Sequence, residues 1–213
     1  MRILILATPR SGSTSLVKLI DSHIKLSNHT TLIEPFNYEF NQYLKKIDSI
    51  LNVENILIKN LFLIGIDDYP IDSFGNVYEY IEWCYTFFDK IILLDRKDKL
   101  AQSESFAINE TSMRERGIGW HTPKIYDIEK IEPSYIKTMF NRYTESSEIL
   151  HKISYDKKFP IFYYEDIFVK HSKSHIEDLF KYLDMKLEDV HYEEYVSSPY
   201  RKIRINKTEQ KLL

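Results

Sequence analysis

The sequence predicts an α/β fold, a single domain with a central parallel sheet flanked by helices, and three observations carry that expectation. Short apolar runs recur at Arg2–Ala7, Ile56–Ile58, Lys90–Leu94 and Pro160–Tyr163. Segments long enough for helices separate them. The first run ends in a turn rich in hydroxyls and passes directly into a stretch of helical spacing. Strands buried on both faces read as continuous apolar runs, and strands alternating with helices form parallel sheets.

Taken in order, the first strand stops at Thr8-Pro9-Arg10, and Ser13 to Ile24 then places Leu16, Leu19, Ile20 and Ile24 on one helical face. A helix over Val77 to Phe88 lies between the second and third apolar runs, and another follows the third from Lys97 to Asn109. Pro133 and Ser134 open a helix that continues to Ile153, because proline suits the first helical turn. Ile176, Leu179, Phe180 and Leu183 pattern a last helix over Ser174 to Tyr182. Glu110 to Glu132 holds Gly117, Gly119, Trp120 and Pro123 without clear periodicity and reads as a long ordered loop or lid.

The chain has 213 residues, 43% apolar and 29% charged, which fits one full core and leaves little room for a second. Residues 1–213 therefore form one domain, with a basic segment at 197–213. Lys plus Arg number 29 and Asp plus Glu 32, giving a net charge of −3. No overall basic field draws such a chain onto nucleic acid or anionic lipid, so an anion site must be built locally. The single Cys84 permits no intrachain disulfide and offers no thiol pair for a metal, which suits a reducing compartment. No apolar stretch approaches the roughly 18 residues a membrane helix needs, and the N-terminal run is too short for a signal peptide. A soluble, unanchored, cytoplasmic protein is the expectation.

Thr8-Pro9-Arg10-Ser11-Gly12-Ser13-Thr14-Ser15 joins the first strand to the first helix. In an open parallel sheet that place faces the ligand, and a helix N-terminus there offers unsatisfied N–H groups to an anion. Gly12 lets the backbone approach closely, Ser11, Ser13, Thr14 and Ser15 supply hydroxyls, and Arg10 adds a permanent cation. The alternative is a hydroxyl-rich helix cap beside a surface arginine. A Walker A loop is a poor match, because the first glycine is missing and Ser13 stands where the lysine belongs.

The segment Thr8 to Leu16 resembles the 5′-phosphosulfate loop of the sulfotransferases, which use 3′-phosphoadenosine 5′-phosphosulfate (PAPS) and share the P-loop architecture. Two further segments extend the resemblance. Arg96-Lys97-Asp98-Lys99-Leu100-Ala101-Gln102 with Ser105 looks like the 3′-phosphate strand end and helix of the bacterial trehalose-type enzymes. By that resemblance Arg96 and Ser105 bind the 3′-phosphate, with Ser103 turned to another helix face. Tyr163-Tyr164-Glu165-Asp166 is similar to the Tyr-Glu-Asp segment of the family, which implies Tyr164 as an adenine contact. The late basic residues Arg201 and Lys202 resemble the family's Arg-Lys-Gly segment, although Ile203 replaces the glycine and a solvated tail is the alternative.

The reaction implied is transfer of a sulfonate from PAPS to a hydroxyl, with no metal, leaving 3′-phosphoadenosine 5′-phosphate (PAP). Such a transfer asks for in-line positioning and for cations around the moving group. Arg10 and Lys59, the latter at the end of the second apolar run, are implied as those cations. The histidine base of the cytosolic aryl enzymes has no counterpart, since Leu61 occupies its position. Glu34, in a Glu34-Pro35 segment that resembles one in carbohydrate sulfotransferases, is the candidate base, and a carbohydrate or small metabolite is the candidate acceptor. Two other readings stay open: a P-loop small-molecule kinase using ATP and magnesium, for which the apolar run ending in Asp95 is the supporting feature, and an inactive nucleotide-binding module. His171 and His175 have the spacing of a metal pair but read as a solvated surface, and Cys84 as a buried hydrophobe.

Overall fold

The computed structural model describes residues 1–24, 29–33, 52–63, 76–116 and 131–187. Among the described residues five strands form one sheet: β1 (Arg2–Ala7), β2 (Thr30–Ile33), β3 (Ile56–Leu61), β4 (Lys90–Asp95) and β5 (Ile161–Tyr163). Their spatial order is β2-β3-β1-β4-β5, and every neighbouring pair is parallel. The helices are α1 (Ser13–His23), α2 (Val77–Phe87), α3 (Lys99–Arg116), α4 (Pro133–Lys157) and α5 (Lys173–Tyr182), with a π-helical turn at Glu165–Val169.

Strand alternation divides the core into two layers. Ile3, Ile5, Leu57, Ile92 and Leu94 pack against Leu16, Val17 and Ile20 of α1 and Ile176, Leu179 and Phe180 of α5. Leu4, Leu6, Ile56, Ile58, Ile91 and Leu93 pack on the opposite face against Tyr80, Ile81 and Cys84 of α2 and Leu150 and Ile153 of α4. Cys84 is fully buried there, and burial pushes its thiol up to about 12. A thiol held neutral in this way packs as a hydrophobe and does not react.

The chain leaves β1 toward β2 and β3 on one side, and leaves β4 toward β5 on the other. The crevice beyond the carboxyl ends of β1 and β4 is therefore the switch point of the sheet, where ligands of open α/β folds bind. The loop after β1 and the turn after β4 both start there. The sheet holds them by backbone bonds, from Thr8 N–H to the Leu94 carbonyl (3.1 Å) and from Phe62 N–H to the Ala7 carbonyl (2.8 Å).

Three elements differ from the expectation. α3 continues through Glu110 to Arg116, so the first part of the expected loop is helical. Residues 117–130 of that loop, with Trp120 and His121, lie outside the described residues. β2 is not among the expected strands: Thr30-Thr31-Leu32-Ile33 favours extended backbone but is too short an apolar run to mark a buried strand, and it takes its place at the sheet edge by pairing with β3. β3 also extends past Ile58 through Lys59, Asn60 and Leu61, because parallel pairing with Ile5, Leu6 and Ala7 satisfies its backbone whatever the side chains.

Candidate active site

The loop after β1 is shaped by two left-handed residues, Arg10 (φ 64) and Gly12 (φ 81), the second of which is the N-cap of α1. An arginine in that region is strained by about 1–3 kcal/mol, a cost tolerated mainly where function needs it. Gly12 is required sterically as well, because a Cβ there would lie 2.8 Å from Phe168 and 2.9 Å from Tyr164. The first turn of α1 contains Ser13, Thr14 and Ser15 and no acidic residue, so the positive end of its dipole is unopposed. Ser11 and Ser13 are buried, and the Ser11 hydroxyl donates to the Thr8 carbonyl at 2.6 Å. Thr14 is partly buried and Ser15 exposed.

The loop is tied down from below by Asp95, which is 1% exposed. One of its oxygens accepts the Thr8 hydroxyl (2.9 Å) and the Lys99 ammonium (2.6 Å), and the other accepts the Ser147 hydroxyl from α4. Burial pushes the Lys99 ammonium below its ordinary value, against the opposing pull of Asp95. The Gln102 amide, also fully buried, donates to the Thr8 hydroxyl (2.8 Å) and the Pro9 carbonyl (2.6 Å). Sequence reasoning gave Gln102 no role, and its place in the Lys99-Leu100-Ala101-Gln102 run is the sole signal that could have drawn attention to it.

Three cations belong to separate pieces of chain: Arg10 to the loop itself, Lys59 to β3 and Arg96 to the turn after β4. Arg10 Nε donates to the Ser105 hydroxyl at 3.0 Å, which links the first loop to the helix expected to hold the 3′-phosphate. Lys59 is 2% exposed, not a surface lysine, and its ammonium donates to the Thr14 hydroxyl at 3.4 Å. Arg96, just after β4, places its guanidinium 4.8 Å over the Tyr164 ring, within the range of a cation–π contact. The ring that covers Arg96 therefore also crowds Gly12. Ser103 is buried and donates to the Lys99 carbonyl, whereas Ser105 meets Arg10. Glu34, Arg201 and Lys202 lie outside the described residues.

The π-helical turn carries the Tyr-Glu-Asp segment. Asp166 accepts the Lys97 ammonium at 2.7 Å and the Lys170 ammonium at 2.9 Å. Burial raises its carboxyl, but the two lysines outweigh burial and hold it below the usual carboxylate range. His175 stands 3.9 Å from the same carboxylate and His171 lies before α5, so the pair shares no helix face. Among the described residues no group of three or more His, Cys, Asp and Glu side chains is placed to hold a metal.

The fold has a counterpart among solved structures. A crystal structure of mouse sulfotransferase SULT7A1 complexed with PAP matches with a TM-score of 0.61 at 13% sequence identity, covering 91% of this chain and 62% of that one. The fold is that of the sulfotransferases. The chain thus spans under two thirds of the length of that neighbour. No family model and no curated protein sequence matches it.

Three expected outcomes test the construction of this site. Asp95→Ala strands the Lys99 ammonium in a buried position, so urea titration should show a loss of about 3–5 kcal/mol. Gly12→Ala forces Tyr164 and Phe168 aside at a left-handed position and should lower stability by about 1–3 kcal/mol in the same assay. Because the folded Asp166 carboxyl lies below its unfolded value near 3.8, its contribution is complete above that pH and lost as pH falls through the folded value. Acid titration of the wild type against Asp166→Asn should show the difference confined to that window and reduced by salt, since both lysines are about half exposed or more.

Proposed function

We propose that the chain binds PAPS across the β1–β4 crevice and transfers its sulfonate to an acceptor hydroxyl. The observation that carries this reading is the uncapped, acid-free N-terminus of α1, where Lys59 meets Thr14 and Arg10 links the loop to Ser105 of α3. The 5′-phosphosulfate would rest on the Ser11–Ser15 loop, and Arg96 with Ser105 would receive the 3′-phosphate. Such an arrangement supplies fixed donors where negative charge gathers, with little reorganisation during reaction. Arg10, permanently protonated, stabilises charge and takes no proton. Lys59 faces the same loop and suits the sulfonate. Tyr164 offers an aromatic edge for the adenine, and Glu34 is proposed as the base that takes the acceptor proton. The acceptor proposed is a carbohydrate or small metabolite, and the compartment a cytoplasmic one.

Asp95 argues against the kinase alternative. A magnesium-holding carboxylate needs an oxygen turned toward the phosphates, while both oxygens of Asp95 are engaged by Thr8, Lys99 and Ser147. The loop also lacks a Walker lysine. The inactive-module reading is separated from the enzyme by turnover alone.

Calorimetry with PAP, AMP and ATP–magnesium on the wild type and on Arg96→Ala tests the proposal. PAP should bind in the micromolar range, about −8.2 kcal/mol, and the variant should lose about 1.5–3 kcal/mol. Tighter binding of ATP–magnesium, or no binding of PAP, would overturn it.

A further inference from the structure

The acidic residue after Tyr164 has a place in the site that its motif alone did not suggest. The two carboxylate oxygens of Glu165 accept the backbone N–H groups of Lys97 (2.9 Å) and Asp98 (3.0 Å), which form the turn between β4 and α3. Asp98 then caps α3 by accepting the Ala101 N–H at 2.9 Å. Arg96, the cation at the start of this turn, has its Nε 3.8 Å from Glu165 Oε1. That separation is too long for a hydrogen bond, so the carboxylate directs its lone pairs to the backbone and leaves the guanidinium under the influence of its charge. Tyr164, the residue before Glu165, supplies the ring beneath the same guanidinium.

A carboxylate that bonds two successive N–H groups fixes both peptide planes, and with them the direction in which the preceding Cα carries its side chain. The 5′ half of the crevice has different anchors, since Thr8 and Pro9 are held by Asp95 and Gln102. We propose that Glu165 is a positioning residue that sets the preference of the site for a nucleotide bearing a 3′-phosphate, by holding the Arg96–Asp98 turn. This rests on the nucleotide reading given above and deepens it. A carboxylate so near a phosphate would by charge alone weaken anion binding, so positioning and charge predict opposite effects when it is removed.

The test is the ratio of PAP to AMP affinity, measured by calorimetry for the wild type, Glu165→Gln and Glu165→Ala. Positioning predicts that Glu165→Ala lowers PAP affinity about tenfold while AMP affinity stays within about twofold. Glu165→Gln, which keeps one acceptor oxygen, should fall between, and it carries the comparison should the alanine variant not fold. Lys170→Ala, which removes an exposed partner of the neighbouring Asp166 and leaves both bonds from Glu165 to the turn in place, should keep the wild-type ratio. An unchanged ratio in the Glu165 variants, a parallel loss of both ligands, or tighter PAP binding would each overturn the inference. A wild type that binds PAP no better than AMP would instead overturn the nucleotide reading itself, which separates the two failures.

Discussion

Asp95 is the constraint on which the site depends. Taking a carboxylate out of water costs several kcal/mol unless every lone pair finds a donor. At the end of β4 the donors come from three separate pieces of chain: Thr8 from the β1 loop, Lys99 from α3 and Ser147 from α4. Satisfying one buried charge therefore fixes the relative places of a strand end, a loop and two helices. The Gln102 amide completes this arrangement over Thr8 and Pro9. With its base held, the loop can sustain two left-handed residues in succession but one, Arg10 and Gly12, and turn the N-terminus of α1 toward the crevice.

The crevice has two halves with separate supports and two cross-links. Asp95 and Gln102 carry the loop after β1, and Glu165 carries the turn after β4. Arg10 spans from the first half to Ser105 on α3. The π-helical turn spans from the second half to the first, since Tyr164 meets both Arg96 and Gly12. In a chain with a net charge of −3, Arg10, Lys59 and Arg96 are buried or half-buried near the ends of neighbouring strands, where desolvation strengthens the field they present.

Much of this was legible in the residues. The apolar strands β1 and β4 and the helical spacing of α1 and α5 follow from patterns that hold for any packing partner. The hydroxyl-rich loop with Gly12 pointed to an anion, and the turn after β4 was singled out through Arg96 and Ser105. Other features were hidden by their surroundings. β2 has strand-favouring residues but too short a run to stand out, and becomes a strand through β3. Glu110–Arg116 holds helix-favouring Glu, Met and Arg and continues α3, but the glycines and proline that follow at 117–123 drew it into the expected loop. Lys59 looked as much like a surface residue as a site residue, and only pairing of β3 beside β1 buries it next to Thr14.

Composition, period and motif order by themselves determined an α/β sheet, a hydroxyl-rich loop at a helix N-terminus and the chain segments that flank it, because each is set by neighbours within a few residues. The tertiary structure decided what those segments do to one another. Asp95 could be read from sequence as a metal ligand, and became a saturated structural anchor only when Lys99, Thr8 and Ser147 converged on it. Glu165 could be read as a solvated carboxylate, and became the holder of the Arg96 turn only when β5 lay beside β4. Hydrogen bonds between groups tens of residues apart depend on strand order and register, which one-dimensional spacing does not encode.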